Sequence, residues 1–412
     1  MEALIVFLSE LVFVLLTAGV IFSIVALLTI VLGGINLGVN KRERTQKVKW
    51  LRRLSIIFTA IFLVTLALSL VVNFFLFEPT ARVVLDQVKT RTGIDVTFAS
   101  AKGNIFTGTV TLQGVKCKRE NHETSRFDIQ AKEIDLDMDM IALLSWRTVM
   151  EDLKITGLTG TFQRIGTVKH LKPRKAFEIE NFILEDCDLV FSDSTRGKNA
   201  ISIPVKIKKL QSTPFRSYWS IYDILFNSTG SGTLGEQSDF TIYKKESPEG
   251  KETWWTFNDL PLETLAAYVG GPFNLISEGG VFLEMQNQRV SGEKPAMLMN
   301  FHLAVREVKA RVPESYPESG MRRNMAERLV TFINEHSQDM SFNFSFQISE
   351  ATLKFAVSLE GLEFWKLCRE NITKGLVHIS GKAKEKIKEL GKKGAERFKN
   401  FLEKRRKKKE QQ

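Results

Sequence analysis

The feature that most limits what this chain can fold into is a period-two alternation of apolar and polar residues, recurring from about residue 94 to residue 360. Ile134, Leu136, Met138 and Met140 alternate with Asp135, Asp137 and Asp139. Ile201, Ile203, Val205 and Ile207 alternate with Ser202, Pro204, Lys206 and Lys208. Met297, Met299, Phe301, Leu303 and Val305 form a third stripe; Phe342, Phe344, Phe346 and Ile348 form a fourth, followed by Leu353, Phe355, Val357 and Leu359. Successive side chains of a strand point to opposite faces, so each stripe predicts a strand with one apolar and one polar face. Only Ser349-Glu350-Ala351-Thr352 separates the last two runs, which predicts an antiparallel hairpin.

Roughly fourteen such strands are expected, joined by loops rich in Gly, Ser and Asn. Helical patterns are few. They are Pro79 to about Val88, Ile141 to Trp146, Leu262 to Val269, and the amphipathic stretch Met321 to Ser337. The expected fold is therefore α+β but mostly β, built on a large antiparallel sheet. At ~4.8 Å per strand that sheet is ~65 Å wide. The best soluble helix is only ~25 Å long and cannot cover it. The sheet must close on itself, pack as a sandwich, or curl into a groove with an apolar lining. A groove beside a membrane would accept acyl chains, at ~0.8 kcal/mol per buried CH₂.

The membrane enters through the N-terminus. Leu11 to Ile35 and Leu54 to Phe77 contain no Asp, Glu, Lys or Arg. As helices each is ~36 Å long, enough for a hydrocarbon core of ~30 Å. The segment 41–53 between them carries seven basic residues, among them Lys41, Arg42, Arg44, Arg52 and Arg53, against one acidic residue. Basic loops stay cytoplasmic, so Met1 and everything after Phe77 are expected on the outer side. The tail 381–412 holds fourteen basic residues against five acidic, including Lys404, Arg405 and Arg406. Of the net charge of +11, loop and tail account for +6 and +9, and the rest of the chain is left with −4. Such a body does not suit a nucleic-acid binder, whereas two local basic patches suit anionic lipid. Three parts follow: a transmembrane hairpin over 1–77, a β-rich domain over 78–380, and a basic amphipathic tail over 381–412.

Chemistry is sparse. Gly230-Ser231-Gly232-Thr233-Leu234-Gly235 has dinucleotide-loop spacing, but a strand-like run follows where a helix would have to open. Asp135, Asp137 and Asp139 have the spacing of a calcium loop, yet Met140 stands where a turning glycine belongs and Trp146 where a bidentate Glu belongs. The five histidines have no metal-ligand spacing, and Cys117, Cys187 and Cys368 are far apart. No nucleophile elbow or phosphate loop is present. Neither an enzyme, a cofactor nor a metal site is expected.

One stretch carries a family resemblance. Thr92 to Phe98, Gly103 to Val115, Phe127 to Asp139, the short helix from Met140 to Leu144, and Leu153 to Phe162 follow one another directly after a membrane anchor. That order resembles the N-terminal region of AsmA-like proteins. The resemblance implies a bacterial inner-membrane anchor and a periplasmic body, with a curled sheet whose apolar groove serves phospholipid transport and outer-membrane homeostasis. Mitochondrial inner-membrane relatives also exist. The chain departs from the family in having two predicted spans where one is usual, and a body short for a conduit across the periplasm.

The expected partners are thus phospholipid or another acyl-chain lipid, the membrane itself, and other envelope proteins. The lipid-facing candidates are Ile134, Leu136, Met138, Ile201, Ile203, Val205, Met299, Phe301, Leu303, Phe342, Phe344, Phe346, Leu353, Phe355 and Val357. The alternative is a membrane-anchored scaffold or outer-membrane assembly factor, in which the same stripes form a closed core.

Overall fold

A computed structural model describes residues 77–104, 107–120, 122–139, 142, 149–166, 176–195, 201–247, 250–269, 274–290, 296–314, 320–336, 341–353 and 364–378, together with 53, 56, 57 and 60. The predicted spans and the tail 381–412 lie outside these residues, apart from Arg53, Ile56, Ile57 and Ala60, which are helical and exposed. Among the described residues no helix is long and apolar enough to cross a membrane.

Among the described residues the alternating stretches are strands, fifteen of them, and they dominate a mostly β chain. In order they are β1 (Asp95–Thr97), β2 (Ser100–Asn104), β3 (Thr109–Arg119), β4 (Ser125–Met138), β5 (Val149–Thr156), β6 (Thr159–Arg164), β7 (Glu178–Asp193) and β8 (Ile201–Ser212). Then come β9 (Phe215–Arg216), β10 (Ser228–Leu234), β11 (Ser238–Ser247), β12 (Gly250–Pro261), β13 (Ile276–Val290), β14 (Ala296–Ala310) and β15 (Ser341–Ser349). Among the described residues the helices after residue 60 are α1 (Phe77–Thr92), α2 (Ser220–Asn227), α3 (Leu262–Val269), α4 (Met321–His336), α5 (Glu350–Leu353) and α6 (Phe364–His378).

The chain divides into two compact units: residues 1–256, 287–297 and 348–362, and residues 257–286, 298–347 and 363–412. In the first unit the strand order is β1-β3-β4-β5-β7-β8-β10-β11. β2 pairs with β3, β6 with β4 and β7, and β9 with β7. The sheet is not purely antiparallel as expected, because β5 and β6 both run parallel to β7. Their shared neighbour β4 lies antiparallel to both, so β5 and β6 form one bent path broken at Gly157, where φ is +64°. The crossover from Arg164 to Glu178 makes the parallel pairing sterically possible.

Across these strands the apolar period of two is interrupted by a step of three: Leu112 to Val115, Ala131 to Ile134, Ile155 to Leu158, Leu184 to Cys187, and Ile207 to Leu210. The steps line up in space. Gln113 pairs with Glu133, Glu133 with Thr156, Thr156 with Glu185, and Glu185 with Lys209. In a regular strand such a step would invert the two faces. Here Gly114, Gly157 and Asp186 take positive φ of 60°, 64° and 54°, which turns the chain back. Residues from both sides of the row share one core: Leu112 with Val115, Ala131 with Leu136, and Ile155 with the packed-on Leu158. The row behaves as a bulge shared by neighbouring strands, and a bulge bends the strand that carries it.

α1 covers the other end of this core. Leu85 and Val88 are buried with Ile94, Val96 and Phe98, and the Arg82 guanidinium stacks 4.5 Å from the Phe98 ring centroid. At Gly103 the Phe77 ring occupies the space a Cβ would take, so a larger residue would have to displace that ring. α2, which the sequence reading missed, buries Ile221, Leu225 and Phe226. Its last-turn carbonyls are capped from the side: Leu225 O accepts from Trp255 Nε1 at 3.0 Å and from Asn287 Nδ2 at 3.1 Å.

In the second unit the remaining parts of β12 and β13 lie beside β14 and β15 in that order. β14 repeats the step of three from Val305 to Val308, with Glu307 at φ 51°; Asp259 on β12 and Gly279 on β13 also take positive φ, of 52° and 138°. A Cβ on Gly279 would lie 3.0 Å from Val308 Cα. α4 docks by Asn334, which accepts from Ala310 N at 2.7 Å and donates to Ala310 O at 3.1 Å. α6, also missed from the sequence, places Phe364 5.9 Å from Phe301 and 5.8 Å from Phe346.

One expected element does not begin where the alternation places it. Residues 350–353 form α5, so Leu353 is helical and fully buried, and does not start the second strand of a hairpin. Ser349 Oγ accepts from Thr352 N at 3.2 Å, an N-cap contact that turns the chain from strand to helix at Ser349.

Candidate functional site

The predicted lipid-facing residues separate into two groups. Leu136, Met138, Met299, Phe301, Leu303, Phe346 and Leu353 are buried, and Met299 and Leu353 have no exposed surface at all. Ile134, Ile201, Ile203, Val205 and Phe344 are half-buried. The side chain of Phe342 and residues Phe355 and Val357 lie outside what the structure describes, as do Lys41, Arg42, Arg44, Arg52, Lys404, Arg405 and Arg406; Arg53 is exposed.

In the second unit the aromatic stripe is a packed core. Phe301 stacks 4.8 Å from Phe344 and 5.1 Å from Phe346, and Phe364 of α6 closes over it. This is the covering helix whose shortage the sequence suggested.

The first unit is different beyond its bulge row. Cross-strand pairs put Phe127, Phe162, Phe191 and Ile203 in one line across β4, β6, β7 and β8. The rings stack at 6.2 Å and 6.0 Å. The next line is Ile129, Gly160, Leu189, Val205 and Leu234. Directly opposed residues of neighbouring strands share a face. Of these, Phe127 is buried, while Ile129, Phe162, Leu189, Phe191, Ile203, Val205 and Leu234 are all half-buried, as are Ile201 and Ile207 beside them. A contiguous apolar surface is thus left partly open to solvent. Gly160 lets the strands approach here, since a Cβ would strike the backbone of Asp128 and Ile129. The candidate site is this face of β6, β7, β8 and β10.

The opposite face of the sheet carries ion pairs. Glu185 receives Lys154 Nζ at 2.7 Å and Lys209 Nζ at 3.3 Å, and these hydrogen bonds hold its carboxyl below the usual carboxylate range. Lys206 pairs with Asp188 and Lys118 with Asp128, each at 3.9 Å. Asp135 accepts from Thr111 Oγ1 at 2.7 Å on that polar side, and no metal-binding cluster exists among the described residues. The glycine motif at 230–235 lies in β10 and its turn, followed by β11, as the sequence pattern required.

The three cysteines are free thiols. Burial pushes Cys117 and Cys368 up to about 12 and Cys187 up to about 11, which removes the thiolate needed for nucleophilic chemistry. The most polar buried spot is Asp223, which accepts from Arg216 N at 2.7 Å, Arg216 Nε at 3.0 Å, Arg216 Nη2 at 2.6 Å and Asn227 Nδ2 at 2.7 Å. Every one of these donors points at one carboxylate, so this pair fastens β9 to α2.

Searched against protein-family models, the chain matches none. Among curated proteins it is similar to mitochondrial distribution and morphology protein 31 of Saccharomyces cerevisiae, with 26% identity over 184 residues. The match takes in 39% of this chain and 31% of the yeast protein, the level of a distant relative.

Proposed function

We propose that this chain is a membrane-anchored, non-catalytic protein that binds phospholipid on the open apolar face of β6, β7, β8 and β10 and passes it to or from a membrane. The observation that carries the reading is a face of aromatic and branched aliphatic side chains, held half-buried, while charged residues such as Glu185, Lys154 and Lys209 pair on the reverse side. A closed domain buries such residues, as the second unit does with Phe301 and Phe346. An acyl chain on this face gains ~0.8 kcal/mol per CH₂ removed from water, so a dozen methylenes supply ~10 kcal/mol before the cost of ordering the chain.

The AsmA-like order of motifs from Thr92 to Phe162 supports the same reading, because β1 to β6 are built from it. The two apolar N-terminal runs supply the anchor, with the loop 41–53 on the side opposite the β-rich body. The name of the yeast relative, which speaks of mitochondrial distribution and morphology, supports a membrane-organising role. It gives weight to a mitochondrial membrane as well as to the bacterial inner membrane that the motif order implies.

A scaffold with a closed β core is the second reading, and the packed aromatic stripe under Phe364 favours it for the second unit. The two separate in one experiment. Native mass spectrometry of the detergent-purified full chain, followed by lipid extraction, should show bound phospholipid. A lipid-free protein whose first-unit face is dry and covered would leave only the scaffold.

A further inference from the structure

The open face is bounded across the strands, and on one side the boundary is a single ring. The line Ile129, Gly160, Leu189, Val205 and Leu234 continues beyond both of its ends. On β3 it meets Cys117 and on β1 Val96, which is buried with Leu85 and Val88 of α1. On β11 it meets Ser238, which has no exposed surface. The next line on this face runs from Cys187 to Ile207, Gly232 and Phe240. Phe240 is buried, whereas Asp239 and Thr241 beside it are exposed on the other face of β11. Its ring stands where a Gly232 side chain would be: a Cβ there would meet Phe240 Cε1 at 2.7 Å and Cζ at 2.8 Å. A ring from β11 therefore lies across β10, beside the half-buried Ile207 and Leu234.

The spacing of the lines sets the direction of a bound chain. Lines on one face repeat every two residues, ~6.7 Å, whereas neighbouring strands are ~4.8 Å apart. The wider furrow thus runs across the strands, and with carbons packing at ~4 Å it admits one methylene chain. From Ile129 on β4 to Leu234 on β10, through β6, β7 and β8, the furrow crosses ~19 Å. A zigzag chain with bonds of ~1.5 Å at ~111° advances ~1.25 Å per carbon, so this span holds about 16 carbons.

We propose that Phe240 is the stop that sets the length of the acyl chain held on this face, one chain lying across the strands between the lines of Leu189 and Cys187. The proposal rests on the reading that the face binds lipid, and it makes the site selective for chain length, whatever the headgroup. Methylenes beyond the stop gain no apolar contact, so longer chains are bound no better. Removing the ring opens at least one further strand spacing, room for about four more carbons.

The test presents the full chain in detergent with an equimolar series of single-chain lysophosphatidylcholines of about 12 to 22 carbons, and reads the bound species by native mass spectrometry. The variants are Phe240→Ala, Phe240→Leu and, as a control on the opposite face, Thr241→Ala. Wild type and Thr241→Ala should hold a distribution centred near 16 carbons. Phe240→Ala should move the centre up by about four carbons and raise the ratio of 20-carbon to 16-carbon lipid by about tenfold or more. If thermal melting shows Phe240→Ala unfolded, Phe240→Leu is read instead and should raise that ratio by about twofold or more. Lipid bound without a preferred length, or the same distribution in wild type and Phe240 variants, overturns the stop while the lipid-binding reading stands. No bound lipid sinks that reading itself, and a lipid-free dimer would assign the face to a second copy of the chain.

Discussion

Placing one carboxylate in each of two strand positions separates an open face from a core. Leu153 on β5 is 1% exposed and sits between Leu136 on β4 and Phe182 on β7, both buried. Ile203 on β8 is half-buried, opposite Phe191 on one side only, since β10 ends at Leu234 opposite Val205. Leu153→Asp loses the ~2–5 kcal/mol of a buried leucine and adds several kcal/mol for a carboxylate with no partner. Together these reach the ~5–15 kcal/mol total stability of a domain, so this variant should not fold. Ile203→Asp keeps its carboxylate hydrated and loses only part of one side chain's transfer energy, ~1–2 kcal/mol. Circular dichroism during urea titration of the full chain in detergent should show a cooperative transition at slightly lower urea for Ile203→Asp and none for Leu153→Asp. If Ile203→Asp also abolishes the transition, the face is a core and the reasoning about it fails.

Three further outcomes follow from the geometry. Asp186→Gly should raise stability by up to ~1 kcal/mol, because a side chain at φ 54° is strained, whereas Gly157→Ala should cost ~1–2 kcal/mol and press on Lys132 Cβ at 2.9 Å; opposite shifts in melting temperature check both. Asp223→Ala should cost ~3–5 kcal/mol by stranding Arg216, read from urea midpoints. Glu185 is held below its usual value of 4.5 by Lys154 and Lys209, so its stabilisation is present above pH 4.5 and is lost as pH falls through the lowered folded value. Glu185→Gln should therefore flatten the acid limb of a stability–pH curve, and an unchanged limb would count against the pairing.

The strands were legible because one side of each is buried: Ile134 to Met138, Met297 to Val305 and Phe342 to Ile348 all lie in strands. α3 follows its predicted bounds, and α4 ends one residue short of them. α2 is only eight residues long and buries five of them, so its periodic signal is short; α6 does expose a polar face at Lys366, Arg369 and Glu370, and the sequence reading missed that signal. The expected strand start at Leu353 is displaced because a local cap, Ser349 to Thr352, outweighs the alternation there; Phe355 and Val357 lie outside the described residues. The parallel pairing of β7 required knowing that β5 and β6 are one broken path. The bulge row, by contrast, was present in the sequence as five steps of three, each invisible as a signal until the register aligned them. For the site, alternation marked the right strand β8 but could not say which stripes would be covered. That depends on α6, whose docking is a tertiary fact.

The central claim is that the face of β8 carrying Ile203 and Val205 touches lipid and the other face does not. A photoactivatable phenylalanine placed singly at Ser202, Ile203, Val205 and Lys206, irradiated in the membrane-bound full chain and read by mass spectrometry, tests it directly. Lipid adducts at 203 and 205 with none at 202 and 206 are the predicted result. Adducts to protein only, or lipid adducts at all four positions, would contradict it.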